Sequence, residues 1–128
     1  MLNNHIDDCE YLYRRVITNP NFWDFEKNQP SSAVFKDSHG TSVDRQADRS
    51  DDDIIKSFTS NFSLRAIIKI QTKTCRSLET YPIYKPENNN IYHCEIHDSE
   101  SKVQISSSKA KKLRDNSEII FKNEDIDR

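Results

Sequence analysis

The chain has 128 residues, 34 % hydrophobic and 31 % charged, with 19 basic against 21 acidic side chains and a net charge of -2. That length fits one domain, and six Phe, five Tyr and one Trp argue against wholesale disorder despite a mean hydropathy of -0.91. The charge balance excludes a general phosphate-driven nucleic-acid binder, and no apolar run approaches the roughly 18–20 residues that cross a bilayer.

The opening residues MLNNHIDDCEYL have neither a basic head nor an apolar core. They do not read as a secretory signal, and a cytoplasmic location without membrane association is expected. CEYLYRRVI at 9–17 predicts a strand with Tyr11, Tyr13 and Arg15 on one face and Leu12, Arg14 and Val16 on the other. Two arginines inside an apolar strand mean that one guanidinium enters the interior or a cleft, where it needs an anionic partner. Asp44 or Glu95 would make that partnership structural, whereas a ligand phosphate would make Arg14 and Arg15 binding residues. NPNFWDFEKNQP at 19–30, bracketed by prolines, predicts a loop pinned by Phe22, Trp23 and Phe25. Ligand stacking is the alternative role for Trp23.

SSAVFKDSHGTSVDR at 31–45 contains the chain's single glycine. AVF and TSV predict two short strands joined through KDSHG, where Gly40 can adopt positive φ and Asp37 and Ser38 can bond the local backbone. A β-hairpin is expected, with His39 an exposed turn residue and Ser31, Ser32, Ser42 and Asp44 on its flanks as candidate site residues. SDDDIIKSFTSNF at 50–62 predicts the clearest helix. Ser50 and Asp53 form a capping-box pattern, three aspartates suit the positive end of the helix dipole, and Ile54, Ile55, Phe58 and Phe62 share a face.

LRAIIKIQ at 64–71 predicts the clearest strand, with Leu64, Ala66, Ile68 and Ile70 on one face. A helical turn at 74–80, a loop over YPIYKPENNN at 81–90 and a strand over IYHCEIH at 91–97 follow. A short basic helix containing KAKKLR at 109–114 precedes a last strand, EIIF at 118–121. Residues 1–121 are thus expected to form a single globular domain, with 122–128 a polar tail. Strands and helices mix without regular βαβ alternation, which makes the class α+β, with a mixed or antiparallel sheet and two main helices.

A chain with one glycine cannot build a Walker loop, a dinucleotide-binding turn or a G-x-S-x-G elbow. Cys9, Cys75 and Cys94 lie far apart with no C-x-x-C pair, and reduced thiols are expected. His93-Cys94-Glu95 matches the H-x-E half of a zinc deaminase signature, but the P-C-x-x-C half is missing. On a strand His93 and His97 would stand ~13 Å apart, too far to share an ion, so neither a metal nor a cofactor is expected. His93 and Glu95 on one strand face remain, as an ion pair or a general-base couple. Lys109, Lys111, Lys112 and Arg114 form either a solvated helix face or a contact for nucleic acid or an acidic protein surface.

The series YLYRR, PSSAVFKD, SVDR and NIYHCEI resembles a group of small uncharacterised prokaryotic proteins. That group has an arginine-bearing first strand, a Ser-Ser-x-x-Phe segment, a Ser-Val motif and a late histidine. The resemblance spans residues 11–121 and carries over to Arg14, Arg15, Ser31, Ser32, Phe35, Ser42, Val43 and His93, while the loop at 81–90 departs from it. It brings no established activity. A weaker resemblance is to the ADP-ribosyltransferase toxin fold, in which an early strand arginine and a strand serine hold NAD. Arg14 or Arg15 with Ser42 would take those places, and Glu95 or Glu118, neither in a recognisable motif, that of the late glutamate.

Two functions follow as expectations. One is a small binding or accessory module with a protein partner, of the kind that serves bacterial defence or toxin–antitoxin systems. The other is a small enzyme acting on NAD, a nucleotide or RNA, with Arg14 or Arg15 clamping phosphate, Ser42 orienting and His93 or Glu95 as acid–base. The second requires those side chains to converge on one pocket.

Overall fold

A computed structural model describes residues 2–124. Its first strand, β1 (Tyr11–Ile17), alternates as its sequence demands: Leu12 and Val16 are buried on one face and Tyr13 on the other. Pro20–Phe22 then form a short 3-10 turn, and β2 (Trp23–Asp24) pairs with β3 (Gln29–Pro30) in a small hairpin that stands apart from the main sheet. Trp23 is buried in the main core, as a packing anchor should be, whereas Phe25 is 56 % exposed, with the Arg65 guanidinium 5.1 Å from its ring centroid.

The expected hairpin around Gly40 does not form. Ser32–Phe35 wind into a 3-10 helix that presses Val34 and Phe35 into the core. Only β4 (Thr41–Arg45) is a strand, and it pairs with β1 and a later strand instead. The turn chemistry itself stands: the Gly40 N–H donates to Asp37 O, His39 is exposed, and Gly40 has φ +106.

Helix α1 (Asp51–Asn61) starts at a complete capping box, with Ser50 Oγ accepting from the Asp53 N–H and the Asp53 carboxylate accepting from the Ser50 N–H. Asp51 also ties the helix to the sheet, accepting from Tyr13 Oη at 2.6 Å and pairing with Lys69 at 2.8 Å. Burial and that carboxylate together push the Tyr13 phenol well above its ordinary pKa.

Strand β5 (Leu64–Gln71) is followed by the short α2 (Thr72–Ser77). Next comes β6 (Tyr81–Tyr84), in a stretch expected to be loop. The chain then continues through β7 (His93–His97), α3 (Ser107–Asp115) and β8 (Glu118–Lys122). The fold is α+β: a six-stranded antiparallel sheet in the order β6-β7-β4-β1-β5-β8, with α1 and α3 as the two main helices.

The sheet's two faces bury different things. On one face Leu12, Val43, Ile68, Ile70, Cys94 and Ile96 pack with Ala110 and Leu113 of α3, Cys75 of α2 and the 3-10 helix. Burial there pushes the Cys75 and Cys94 thiols up to about 12, which leaves them unreactive. The opposite face forms a smaller cluster of Tyr13, Leu64 and Ile67 under Ile54 and Phe58 of α1. Leu64 belongs to this second cluster because the β1–β5 register shifts between Val16 and Ile17, which takes it out of alternation with Ala66. No helix among the described residues is long and apolar enough to cross a membrane.

Candidate functional site

Helix α1 covers only the β1, β5 and β8 half of its face. The other half, made by β4, β7 and β6, carries polar side chains because alternation sends Val43, Cys94 and Ile96 to the opposite core. Ser42 and Asp44 of β4 therefore share this open face with His93, Glu95 and His97 of β7. Four of the residues singled out from the sequence thus converge on adjacent strands.

Their partners differ from those expected. His93 is buried, with Nδ1 2.8 Å from the Lys85 carbonyl and Nε2 3.2 Å from Ser42 Oγ. A carbonyl only accepts, so in the neutral ring the proton sits on Nδ1, and Nε2 accepts from the Ser42 hydroxyl. Glu95 does not couple to His93. It accepts from His97 Nε2 at 2.8 Å and pairs with Lys85 at 3.4 Å. Burial alone would raise the Glu95 pKa, but the hydrogen bond from His97 and the Lys85 charge hold it below the ordinary value. Gly40 packs closely against this group: a Cβ there would sit 2.5 Å from Glu95 Oε1.

The two arginines of β1 part ways. Arg14 points to the main-core side and fills the gap where β1 and β4 separate beyond their two paired positions. Its Nε donates to Val34 O at 3.0 Å and its Nη1 to Ser42 O at 2.9 Å. Its partners are thus main-chain carbonyls, not Asp44 or Glu95. Burial lowers its pKa to about 10 even though Asp37 works in the other direction. Arg14 is a structural strut that also fixes the backbone of Ser42.

Arg15 faces the open side, stacked 3.9 Å from the Phe62 ring centroid and 5.4 Å from that of Phe58. Among the described residues it has no hydrogen bond and no ion pair. Arg49 lies in the same cleft, stacked 3.5 Å from the Tyr92 ring, with its Nη2 donating to Arg45 O. The cleft has a volume of about 710 Å³ between the C-terminal half of α1 and residues 87–92, with Asp44 on its floor.

Side-chain and main-chain bonds fold the asparagine run over the sheet. Glu87 and Asn90 exchange two main-chain hydrogen bonds, Tyr84 Oη donates to Ile91 O at 2.6 Å, and Asn90 Nδ2 donates to Asp44 Oδ1 at 2.9 Å. This wall contains Asn88, Asn89 and Asn90, none of which the sequence singled out as functional.

Other expected site residues lie elsewhere. Ser31 and Ser32 belong to the 3-10 segment on the main-core side, where Ser31 Oγ donates to Asn21 O. On α3, Lys109 Nζ donates to Glu79 O and Asp98 O and pairs with Asp98, and Arg114 pairs with Asp115. Only Lys111 and Lys112 of the basic segment are exposed, and that helix packs against the opposite sheet face from the cleft. Comparison with known proteins finds no matching family model, no matching curated protein and no matching solved structure.

Proposed function

We propose that the protein is a binding module for a phosphate-bearing ligand with a flat ring, of the nucleotide class, held in the cleft between α1 and residues 87–92. The observation that carries this reading is the pair of stacked guanidinium groups, Arg15 on Phe62 and Arg49 on Tyr92, in one cleft. A guanidinium stacked on a ring keeps its N–H edge available for a phosphate, and the aromatic support orients it. Arg15 offers the whole of that edge, whereas Arg49, whose Nε and Nη2 donate to Gln46 O and Arg45 O, offers Nη1. Phe62 and Ile91, 46 % and 57 % exposed, provide apolar surface for a ring, and the asparagine amides provide donors and acceptors for its polar edge. The cleft's size lies within the roughly 300–1,000 Å³ of small-molecule sites.

Isothermal titration of the intact protein with adenosine and guanosine 5′-monophosphates tests this reading. Arg15→Met is expected to weaken binding at least tenfold, since a hydrogen bond to a charged group contributes about 1.5–3 kcal/mol. No heat from either nucleotide at millimolar concentration would remove the proposal.

A further inference from the structure

We propose that Ser42 is the nucleophile and His93 the general base of a phosphodiester hydrolysis site on the open half of the sheet. The substrate class rests on the cleft reading above; the dyad rests on its own geometry. Ser42 Oγ lies 3.2 Å from His93 Nε2, within reach of a proton transfer that tightens when substrate binds. The Lys85 carbonyl at 2.8 Å holds the other ring nitrogen as the donor, so the nitrogen facing Ser42 is the basic one. On the far side of the strand, Arg14 bonds the Ser42 carbonyl at 2.9 Å and fixes the residue's backbone. The hydroxyl and the imidazole both stand on the sheet half that no helix covers, and Ser42 is partly exposed there.

Charge complementarity follows from the shared face. Arg15 and Arg49 line the cleft together with Asp44, which stands two residues from Ser42 on the same face of β4. An anionic phosphorus centre held by Arg15 and Arg49 would meet Ser42 from the cleft side, and the guanidinium would offset charge gathering on its equatorial oxygens.

The first step forms the Ser42 Oγ–P bond as the Oγ proton passes to His93 Nε2. The P–O bond to the leaving alcohol breaks, and His93 returns the proton to that alcohol. Water then attacks the phosphoseryl ester, giving one proton to His93 as the P–Oγ bond breaks, and His93 restores it to Ser42. One diester and one water give one monoester and one alcohol.

A fluorophosphonate probe, read by mass spectrometry of the tryptic peptides, tests the dyad in the absence of nucleotide. Covalent labelling of Ser42 in the wild-type protein is expected, with its rate falling at least tenfold in His93→Gln. Release of nitrophenolate from bis(p-nitrophenyl) phosphate should disappear in Ser42→Ala. Folded wild-type protein that leaves Ser42 unlabelled overturns the dyad without recourse to any variant. Because labelling needs no nucleotide and calorimetry needs no probe, the two readings fail separately. Nucleotide binding with Ser42 unlabelled removes only the nucleophile, and labelled Ser42 without nucleotide binding removes the cleft reading and the diester substrate with it.

Discussion

One face of one sheet is built in two ways. Under α1, the β1, β5 and β8 strands present Tyr13, Leu64 and Ile67 to Ile54 and Phe58, and water is excluded. Beside it, β4, β7 and β6 present Ser42, Asp44, His93, Glu95 and His97 to a loop and a cleft. A register shift turns Leu64 toward α1 in the covered half, but most of the contrast lies in the chemistry of the outward positions, apolar where a helix can bury them and polar where none arrives. Arg15 stands at the seam, its guanidinium stacked on Phe62 at the end of α1 while it lines the cleft. A fold can thus spend one half of a face on stability and leave the other for binding.

If that division is right, damage to the covered half should show in stability before it shows in binding. Ile67→Ala removes a fully buried side chain beneath α1 and is expected to cost about 2–5 kcal/mol, read by chemical denaturation. Nucleotide affinity of the fraction still folded should stay within twofold of wild type; a larger loss would mean that the halves are coupled.

Arg14 tests the boundary from the other side. Replacing it by Met leaves the Val34 and Ser42 carbonyls without their donor, at an expected cost of about 1–3 kcal/mol. Arg14→Lys should recover only part of this, because one ammonium cannot reproduce a planar fork that reaches two carbonyls. Unchanged melting in Arg14→Met would mean that the gap between β1 and β4 closes or hydrates without it.

How much of this was legible beforehand depended on how local the determinants were. The bounds of strand 64–71 are readable because apolar alternation runs from Ala66 to Ile70, although the bulge that turns Leu64 to the other face is not. Helix α1 is readable because its capping box marks its start. Ala33–Phe35 went wrong because three apolar residues fit a strand or a helical turn equally well, and tertiary packing made the choice. Tyr81–Tyr84 read as loop because of Pro82, yet a proline is tolerated on an edge strand, and β6 is the sheet's edge. Ser42 and His93 were visible as polar residues on apolar strands. Arg49, Asn88, Asn89 and Tyr92 were not, since their role comes from a loop folding back across the sheet, and nothing local in the sequence records that.

In the open half the smaller effects lie around Glu95. Gly40→Ala meets both a positive φ and the Glu95 carboxylate, and is expected to lower stability by about 1–3 kcal/mol. Shortening the obstacle should help: in Gly40→Ala combined with Glu95→Ala, the cost of the glycine substitution should be smaller than in the wild-type background. Equal costs in the two backgrounds would assign the whole effect to backbone strain.

The smallest expected effect concerns pH. The Glu95 pKa is lowered in the folded state, so its partnership with His97 and Lys85 adds stability above the unfolded carboxyl value of about 4.3. That stability is lost as pH falls through the lower folded value, where the carboxyl takes up a proton. Glu95→Gln lacks the titration, and at neutral pH it should be less stable by up to about 1 kcal/mol. The gap between wild type and variant, followed by thermal melting, should narrow on acidification through the carboxyl range, whereas a gap that stays the same there would mean that the Glu95 carboxylate adds no stability through His97 and Lys85.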